Sequence, residues 1–170
     1  MAKDDVTERE GFVFFCGGWP SQWYPSPFVI DGIGYLCCEQ YMMAEKARLF
    51  GDEEMLAKIL AADEPKEHKA FGRQVKPFDE ERWNAVCREV VYRGNLAKFS
   101  QSDGLRSLLF ATGDKILVEA SPTDRIWGIG LGAEDPSAID PSQWRGKNWL
   151  GEAIMRARAT LRSELIAPNA

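Results

Sequence analysis

Two residues of one predicted helix have side chains that could do chemistry together. In CCEQYMMAEKARLF, residues 37–50, Glu39 and Lys46 stand seven positions apart and share nearly one helix face, with Met42 and Met43 between them. A lysine removed from water loses its proton more easily, and a carboxylate on an apolar wall can act as acid or base. Alternatively, this is an ordinary core helix whose lysine reaches water and whose glutamate complements the helix dipole. The helix pattern alone favours this second interpretation.

Two further carboxylates follow a predicted strand. In LVEASPTDRIWGIG, Glu119 ends the strand and Asp124 lies in the next loop. Loops beyond strand ends often carry catalytic groups. Asp and Ser are equally typical of turns, where their side chains bond the local backbone. Both interpretations of these two residues remain open at this point.

Three polar residues could hold an anion. Lys147 and Asn148, in WRGKNWLG, precede a predicted helix whose first N–H groups favour negative charge, and Arg73 stands in FGRQVKPF. Each also fits a solvated loop residue. The segment is not a phosphate-binding P-loop, and GIGLG lacks the spacing and the strand–helix–strand context of a dinucleotide-binding fold.

Several aromatic residues lie in flexible surroundings. Of six tryptophans in the chain, Trp19 and Trp23 stand in GGWPSQWYPSPF and Trp127 in DRIWGIGLG. Gly128 and Gly130 beside Trp127 would let the backbone approach a flat ligand while the ring stacks on it. Anchoring of a loop by a buried aromatic ring is the commoner role of such residues.

Helices with a few short strands must position these residues. The Asp31-Gly32 pair between apolar residues predicts a β-hairpin. Apolar periodicity predicts further elements, which make the chain α+β and mostly helical. We predict strands at 12–16 and 115–120, a loop at 127–132, and helices at 37–50, 53–62, 66–73, 79–98, within 102–112 and at about 148–165. His68 falls on a predicted surface helix and receives no role.

Length and composition bound the class of protein. The chain has 170 residues, a net charge of −5 and no basic block, so one domain is expected and general binding to a nucleic-acid backbone is not. It contains no apolar run long enough for a membrane span and no signal-peptide pattern, which predicts a cytoplasmic protein. Four cysteines without metal-site spacing and a single histidine predict no metal site.

Taken together, these stretches resemble the NADAR family, which includes bacterial YbiA-type N-glycosidases. The resemblance rests on SQWYPSPFVIDGIGYLCCEQYMMAEKARLF, GRQVKPFDEERW, AKFSQSDGLRSLLFATGDKILVEASPTDRIWGIGLG and WRGKNWLGEAIMRAR, in that order. It implies a single α+β domain over residues 12–165, with flexible segments at 1–11 and 166–170. One departure is the pair Cys37-Cys38, where relatives often have a small hydroxyl residue before the glutamate.

The resemblance also implies an activity, the hydrolysis of a bond between ribose C1 and nitrogen without metal or cofactor. Implied substrates are ADP-ribose attached to guanine, with transient contact to ADP-ribosylated DNA or RNA, and phosphoribosylaminopyrimidine intermediates of riboflavin synthesis. Glu39, Lys46 and Asp124 match catalytic positions of the family. The implied substrate-binding residues are Trp23, Arg73, Trp83, Glu119, Trp127, Gly128, Gly130, Lys147 and Asn148.

Two mechanisms and a second function remain open. Lys46 could form a Schiff base with the ring-opened sugar, with Glu39 and Asp124 in proton transfer, or water could attack C1 directly. The alternative function is a non-catalytic sensor of ADP-ribose or a nucleotide. Product release from the two substrate classes would separate enzyme from sensor.

Overall fold

A three-stranded sheet joins the first two strands to a strand about a hundred residues later in the chain. The computed structural model describes residues 5–167. Strands β1 (Val6–Arg9) and β2 (Phe12–Phe15) pair antiparallel, and β5 (Ile116–Glu119) pairs parallel to β2, opposite β1. Parallel neighbours need a long crossover, and here the crossover contains the second sheet and five helices. Phe15 is opposite Glu119, so the carboxyl ends of β2 and β5 lie together.

The predicted hairpin is confirmed as a separate two-stranded sheet. Strands β3 (Phe28–Ile30) and β4 (Ile33–Tyr35) flank Asp31 and Gly32, which have φ values of 51° and 78°. Positive φ at both central residues is what the tight hairpin turn requires.

The helices match the sequence prediction to within about two residues, the usual uncertainty of helix ends. Asp52, Asp79 and Ser102 each accept a hydrogen bond from a backbone N–H of the following first turn, which fixes three of the helix starts. The helices are α1 (Cys38–Phe50), α2 (Glu53–Ala61), α3 (Pro65–Gly72), α4 (Glu80–Ser100), α5 (Asp103–Ala111) and α6 (Trp149–Ile166).

Helix α1 lies at the centre of the helical layer. It packs against α2, α3 and α4, while α6 packs between α4 and strand β5. Nine of its thirteen residues are buried, Glu39 among them, which explains why a charged residue stands out on it. The predicted α+β, single-domain class is confirmed.

Three sequence expectations differ from the structure. The segment 1–11, predicted to be flexible, contains strand β1, because its residues complete the edge of the sheet beside β2. Helix α6 includes Ile166, one residue into the predicted tail; residues 1–4 and 168–170 lie outside the described part of the chain. His68, predicted on a surface, is fully buried at 0% exposure, because α3 packs its histidine face on α1.

Candidate active site

Glu39 is a buried carboxylate on the first turn of α1. Its side chain is only 7% exposed, and burial raises its pKa from 4.5 to about 7. Lys69 of α3, Arg73 just after that helix and contact with the Trp23 side chain lower the pKa, while the charge of Asp124 contributes to its rise. Glu39 therefore titrates near neutrality, where a general acid or base is most effective.

Glu119 is a second carboxylate of the same kind. Burial at the end of β5, together with the charges of Asp124 and Glu39, raises its pKa to about 7. Lys69 lowers it. The structure thus brings Glu39, Glu119 and Asp124 near one another from α1, β5 and the loop after β5.

Asp124 is held by its own loop. Its Oδ1 accepts hydrogen bonds from the backbone N–H groups of Ile126 at 2.9 Å and Trp127 at 2.8 Å. Its Oδ2 makes no hydrogen bond to the described residues. One oxygen therefore fixes the side chain and leaves the other for a substrate.

Asn148 fixes the strand that carries Glu119. Its Oδ1 accepts from the Glu119 N–H at 3.0 Å, and its Nδ2 donates to the Leu117 carbonyl at 3.0 Å. The residue is buried in the left-handed conformation, with φ of 55°. Gly128 also packs against the backbone of Glu119, since a Cβ there would lie 2.9 Å from the Glu119 carbonyl oxygen. These two residues support the site by holding its backbone.

Lys46 is half-buried on the same face of α1 as Glu39. Its Nζ donates to the Gly72 carbonyl at 2.8 Å and lies 4.5 Å from the centre of the Phe78 ring. Burial lowers the pKa of Lys46, and the charge of Arg73 lowers it further, while Glu39 raises it. The amine is therefore easier to deprotonate than a surface lysine, which a nucleophile requires.

Helix α3 supplies a residue that the sequence analysis missed. The Lys69 Nζ lies 5.7 Å from the centre of the Trp23 ring and acts on both Glu39 and Glu119. Its neighbour His68 anchors the helix: Nε2 donates to the Ala62 carbonyl at 2.9 Å, so Nδ1 accepts from the Cys37 thiol at 3.7 Å. In the sequence, both residues look like parts of a solvated, charged helix.

Helices α1 and α4 anchor the loop that carries Trp23. The Gln22 carbonyl accepts from the Glu39 N–H at 3.0 Å, and the Gln22 side-chain oxygen accepts from Asn95 at 2.8 Å. Lys98, which is only 1% exposed, donates to the Ser21 carbonyl at 2.9 Å. Trp23 itself remains 42% exposed, available to a ligand beside Glu39.

Two other predicted aromatic residues lie in the main core or pack against it. Trp83 is buried in the main core, and Trp127 is partly buried and meets Trp149 edge-to-face with ring centres 5.9 Å apart. Lys147, predicted to bind substrate, places its Nζ 4.4 Å from the centre of the Trp149 ring. Its charge acts on the Cys87 thiol of α4 rather than on the buried carboxylates.

Cys16 is the exposed member of the four free cysteines, and Cys37, Cys38 and Cys87 are buried. It follows β2 directly and thus lies beside the end of β5. Partial burial raises the pKa of its thiol, and the charges of Glu119 and Asp5 raise it further. Cys16 therefore lies at the edge of the cluster formed by Glu39, Glu119 and Asp124.

The arrangement combines acid–base groups, an amine and aromatic surfaces. Two carboxyl groups that titrate near pH 7 can exchange protons with a departing nitrogen or with water, and Lys46 can attack a carbonyl carbon. Within residues 5–167, no group of three His, Cys, Asp or Glu side chains is placed to hold a metal ion. No helix in that same span is both long and apolar enough to cross a membrane.

This fold and site define a known class: the chain belongs to the NADAR family, whose domain model matches residues 15–162. It is 40% identical over 164 residues to N-glycosidase R617 of Acanthamoeba polyphaga mimivirus, covering 89% of this chain and 96% of the viral protein. It is 31% identical over 138 residues to N-glycosidase YbiA of Escherichia coli, covering 81% and 78% of the two chains.

A solved structure shows the same fold. The NMR structure of E. coli YbiA superimposes with a TM-score of 0.78 at 28% sequence identity, covering 99% of this chain and 95% of YbiA. The family resemblance found in the sequence motifs is therefore confirmed by both sequence and structure.

Proposed function

We propose that this protein is a hydrolase of N-glycosyl bonds that cleaves a bond between ribose C1 and nitrogen. The names of its relatives R617 and YbiA, both N-glycosidases, support the reaction class. The observation that carries the proposal is the site itself: Glu39, Glu119 and Asp124 act electrostatically on one another, and Lys46 lies on the helix face of Glu39.

Lys46 is the nucleophile of the proposed mechanism. The ribosylamine first opens to an imine at C1. The neutral Lys46 amine leaves the Gly72 carbonyl and adds to C1, forming a C–N bond, and the original nitrogen leaves with a proton from a carboxyl group. Water then adds to the resulting lysine imine and releases the free sugar and the Lys46 amine.

Glu39 and Asp124 carry the protons. Protonated Glu39 gives its proton to the departing nitrogen, since its pKa of about 7 keeps a large protonated fraction at neutral pH. Asp124 uses its unoccupied Oδ2 to take a proton from the attacking water. Trp23 and Trp127 provide aromatic faces on which a base can stack.

Borohydride reduction in the presence of ADP-ribose tests the covalent step. Reduction of the imine should fix the sugar to Lys46, and mass spectrometry should locate the adduct there. Lys58→Ala changes an exposed lysine of α2 and should keep both the adduct and activity. Activity of Lys46→Ala without any adduct in the wild type would instead establish direct attack by water.

The proposed substrates are ADP-ribosylated guanine, free or in nucleic acid, and phosphoribosylaminopyrimidines. Release of free sugar from each, measured with the same enzyme preparation, identifies which one is used. Binding of both without release from either would identify a sensor of ADP-ribose or a nucleotide rather than an enzyme. Retained Glu39 and Lys46 favour the enzyme, because a sensor needs neither an acid nor a nucleophile.

A further inference from the structure

Two arginines lie side by side at the edge of the site without a carboxylate partner. Arg125 follows Asp124 directly, and Arg145 lies on the segment before α6. A Cβ built on Gly130 would be 3.2 Å from Arg125 Cγ and 3.0 Å from Arg145 Cβ, so the two side chains leave the backbone around the same glycine. Both arginines are exposed.

Backbone hydrogen bonds hold this pair in place. The Arg145 N–H donates to the Ile129 carbonyl at 2.8 Å, and the Lys147 N–H donates to the Arg125 carbonyl at 3.1 Å. Gly130 has a φ of 69°, and a Cβ on Gly146 would come within 2.7 Å of Arg125 Cα. Glycines at both positions thus let the two segments approach closely enough for the arginines to adjoin.

The charges of this pair are not neutralised by the protein. Among residues 5–167, neither guanidinium forms an ion pair, whereas Arg48, Arg88, Arg106, Arg156 and Arg162 each do. Like charges held together cost free energy unless an anion joins them. A guanidinium fork matches phosphate oxygens in bidentate geometry, and two adjacent forks match two linked phosphates.

We propose that Arg125 and Arg145 together bind the diphosphate of a nucleotide-linked ribose substrate. Arg125 follows Asp124 directly in the chain. A diphosphate bound to Arg125 therefore lies near the carboxylates and belongs to the same ligand as the ribose C1 that lies between them. The assignment rests on the proposed function and deepens it, since it separates a diphosphate-bearing substrate from a ribose monophosphate.

The double variant Arg125→Gln/Arg145→Gln tests the assignment by calorimetry with ADP-ribose and with ribose 5-phosphate. The matched control is Lys58→Gln/Arg93→Gln, which removes two exposed positive charges elsewhere. The dissociation constant of ADP-ribose should rise about tenfold or more in the double variant, since loss of one charge-assisted bond of about 1.4 kcal/mol is already tenfold. The control and the binding of ribose 5-phosphate should change less than about threefold.

An ADP-ribose affinity equal to that of the control would overturn the proposal, and so would an equal loss for both ligands, which indicates a single-phosphate site. Melting temperatures of the two double variants should agree, which shows that folding is unaffected. If the wild type binds ADP-ribose through the arginines but releases sugar from neither substrate, the proposed function fails and the diphosphate site stands. If the double variant cleaves ADP-ribosylated guanine with the kcat/KM of the wild type, the proposed function stands and the proposed diphosphate site fails.

Discussion

The buried carboxyl groups of this site lower the stability of the fold at neutral pH. A carboxyl whose pKa is raised in the folded state binds its proton more tightly there than in the unfolded chain, so folding is favoured at low pH. For Glu39 the favourable term is complete below about 4.5 and is lost as pH rises to about 7. Glu119 titrates over the same interval. The site therefore keeps groups useful for proton transfer at the expense of stability at neutral pH.

Glu39→Gln should stabilise the protein at pH 8 and inactivate it. The neutral amide needs no desolvation of charge, so we expect a gain on the order of 1–3 kcal/mol in the free energy of unfolding, and a loss of about 100-fold or more in activity. At pH 5, where wild-type Glu39 is protonated in the folded state, the gain should shrink. Urea unfolding at both pH values measures it, and an equal gain at the two would contradict the electrostatic cause.

The sequence identifies some of these residues but not their surroundings. Glu39 and Lys46 stand out because charge interrupts an apolar face, and that signal is local. Lys69 gives no such signal, since it stands among other charged residues and its importance comes from Trp23 and Glu39, which are far from it in the chain. His68 was misplaced for the same reason: periodicity indicates a face of a helix but not what covers that face.

At the scale of elements, helix α3 has a large share in the site for its length. Its eight residues supply the side chain of Lys69 and the Gly72 carbonyl that holds Lys46, and Arg73 caps it. His68 anchors it to Cys37, two residues before Glu39. A shift of α3 along α1 would therefore change the surroundings of the acid and the amine together.

Gly72→Ala should produce such a shift. A Cβ at this position would overlap the side chain of Met43 on α1, so the buried Met43 side chain must repack or α3 must move outward. We expect a loss of about 1–3 kcal/mol in stability from overpacking, with reduced activity in the folded fraction. Thermal unfolding and turnover at a temperature well below the transition separate the two effects.

Gly104→Ala is the matched control for that change. A Cβ on Gly104 of α5 meets nothing within 4 Å, and alanine is the better helix former by about 0.5–1 kcal/mol. This variant should be as stable as the wild type or more so, and equally active. A loss at Gly104 as large as that at Gly72 would show that contact with Met43 is not the cause.

The elements themselves could largely be predicted, because their signals are local. The Asp31-Gly32 turn and the periodicity of apolar residues predicted the hairpin, six helices and two strands. Strand β1 was missed because its charged sequence, VTER, becomes a strand only by pairing with β2. The pairing of β2 with β5, about a hundred residues later, likewise depends on the tertiary fold and cannot be predicted from either segment alone.

At the scale of the whole molecule, a net charge of −5 limits how nucleic acid can be held. A large basic surface releases many counterions on binding and makes affinity fall steeply with salt. Here the proposed phosphate contacts are confined to Arg125 and Arg145. Any nucleic-acid substrate is therefore expected to be held at its modified nucleotide and not along its backbone.

The salt dependence of binding tests whether nucleic acid is held only at its modified nucleotide. For Lys46→Ala and an ADP-ribosylated single-stranded oligonucleotide, contacts confined to the diphosphate of the modified nucleotide predict a slope no steeper than about −1.4 in the logarithm of affinity against the logarithm of salt concentration, the value for two backbone phosphates of a single strand. Fluorescence anisotropy between about 50 and 200 mM salt gives the slope. A slope steeper than about −4 would require many more contacts and would contradict the confined mode.

Cys16 gives the molecule an internal reporter. Its three companion cysteines are buried, so a thiol-reactive dye should label the unmodified chain at one position. Since the charge of Glu119 contributes to the raised pKa of this thiol, the fall in labelling rate with decreasing pH should be less steep across the interval in which Glu119 becomes protonated. The rate of a simple alkylation reaction, followed across pH, can thus report the ionisation of a buried carboxyl of the candidate site without substrate or mutation.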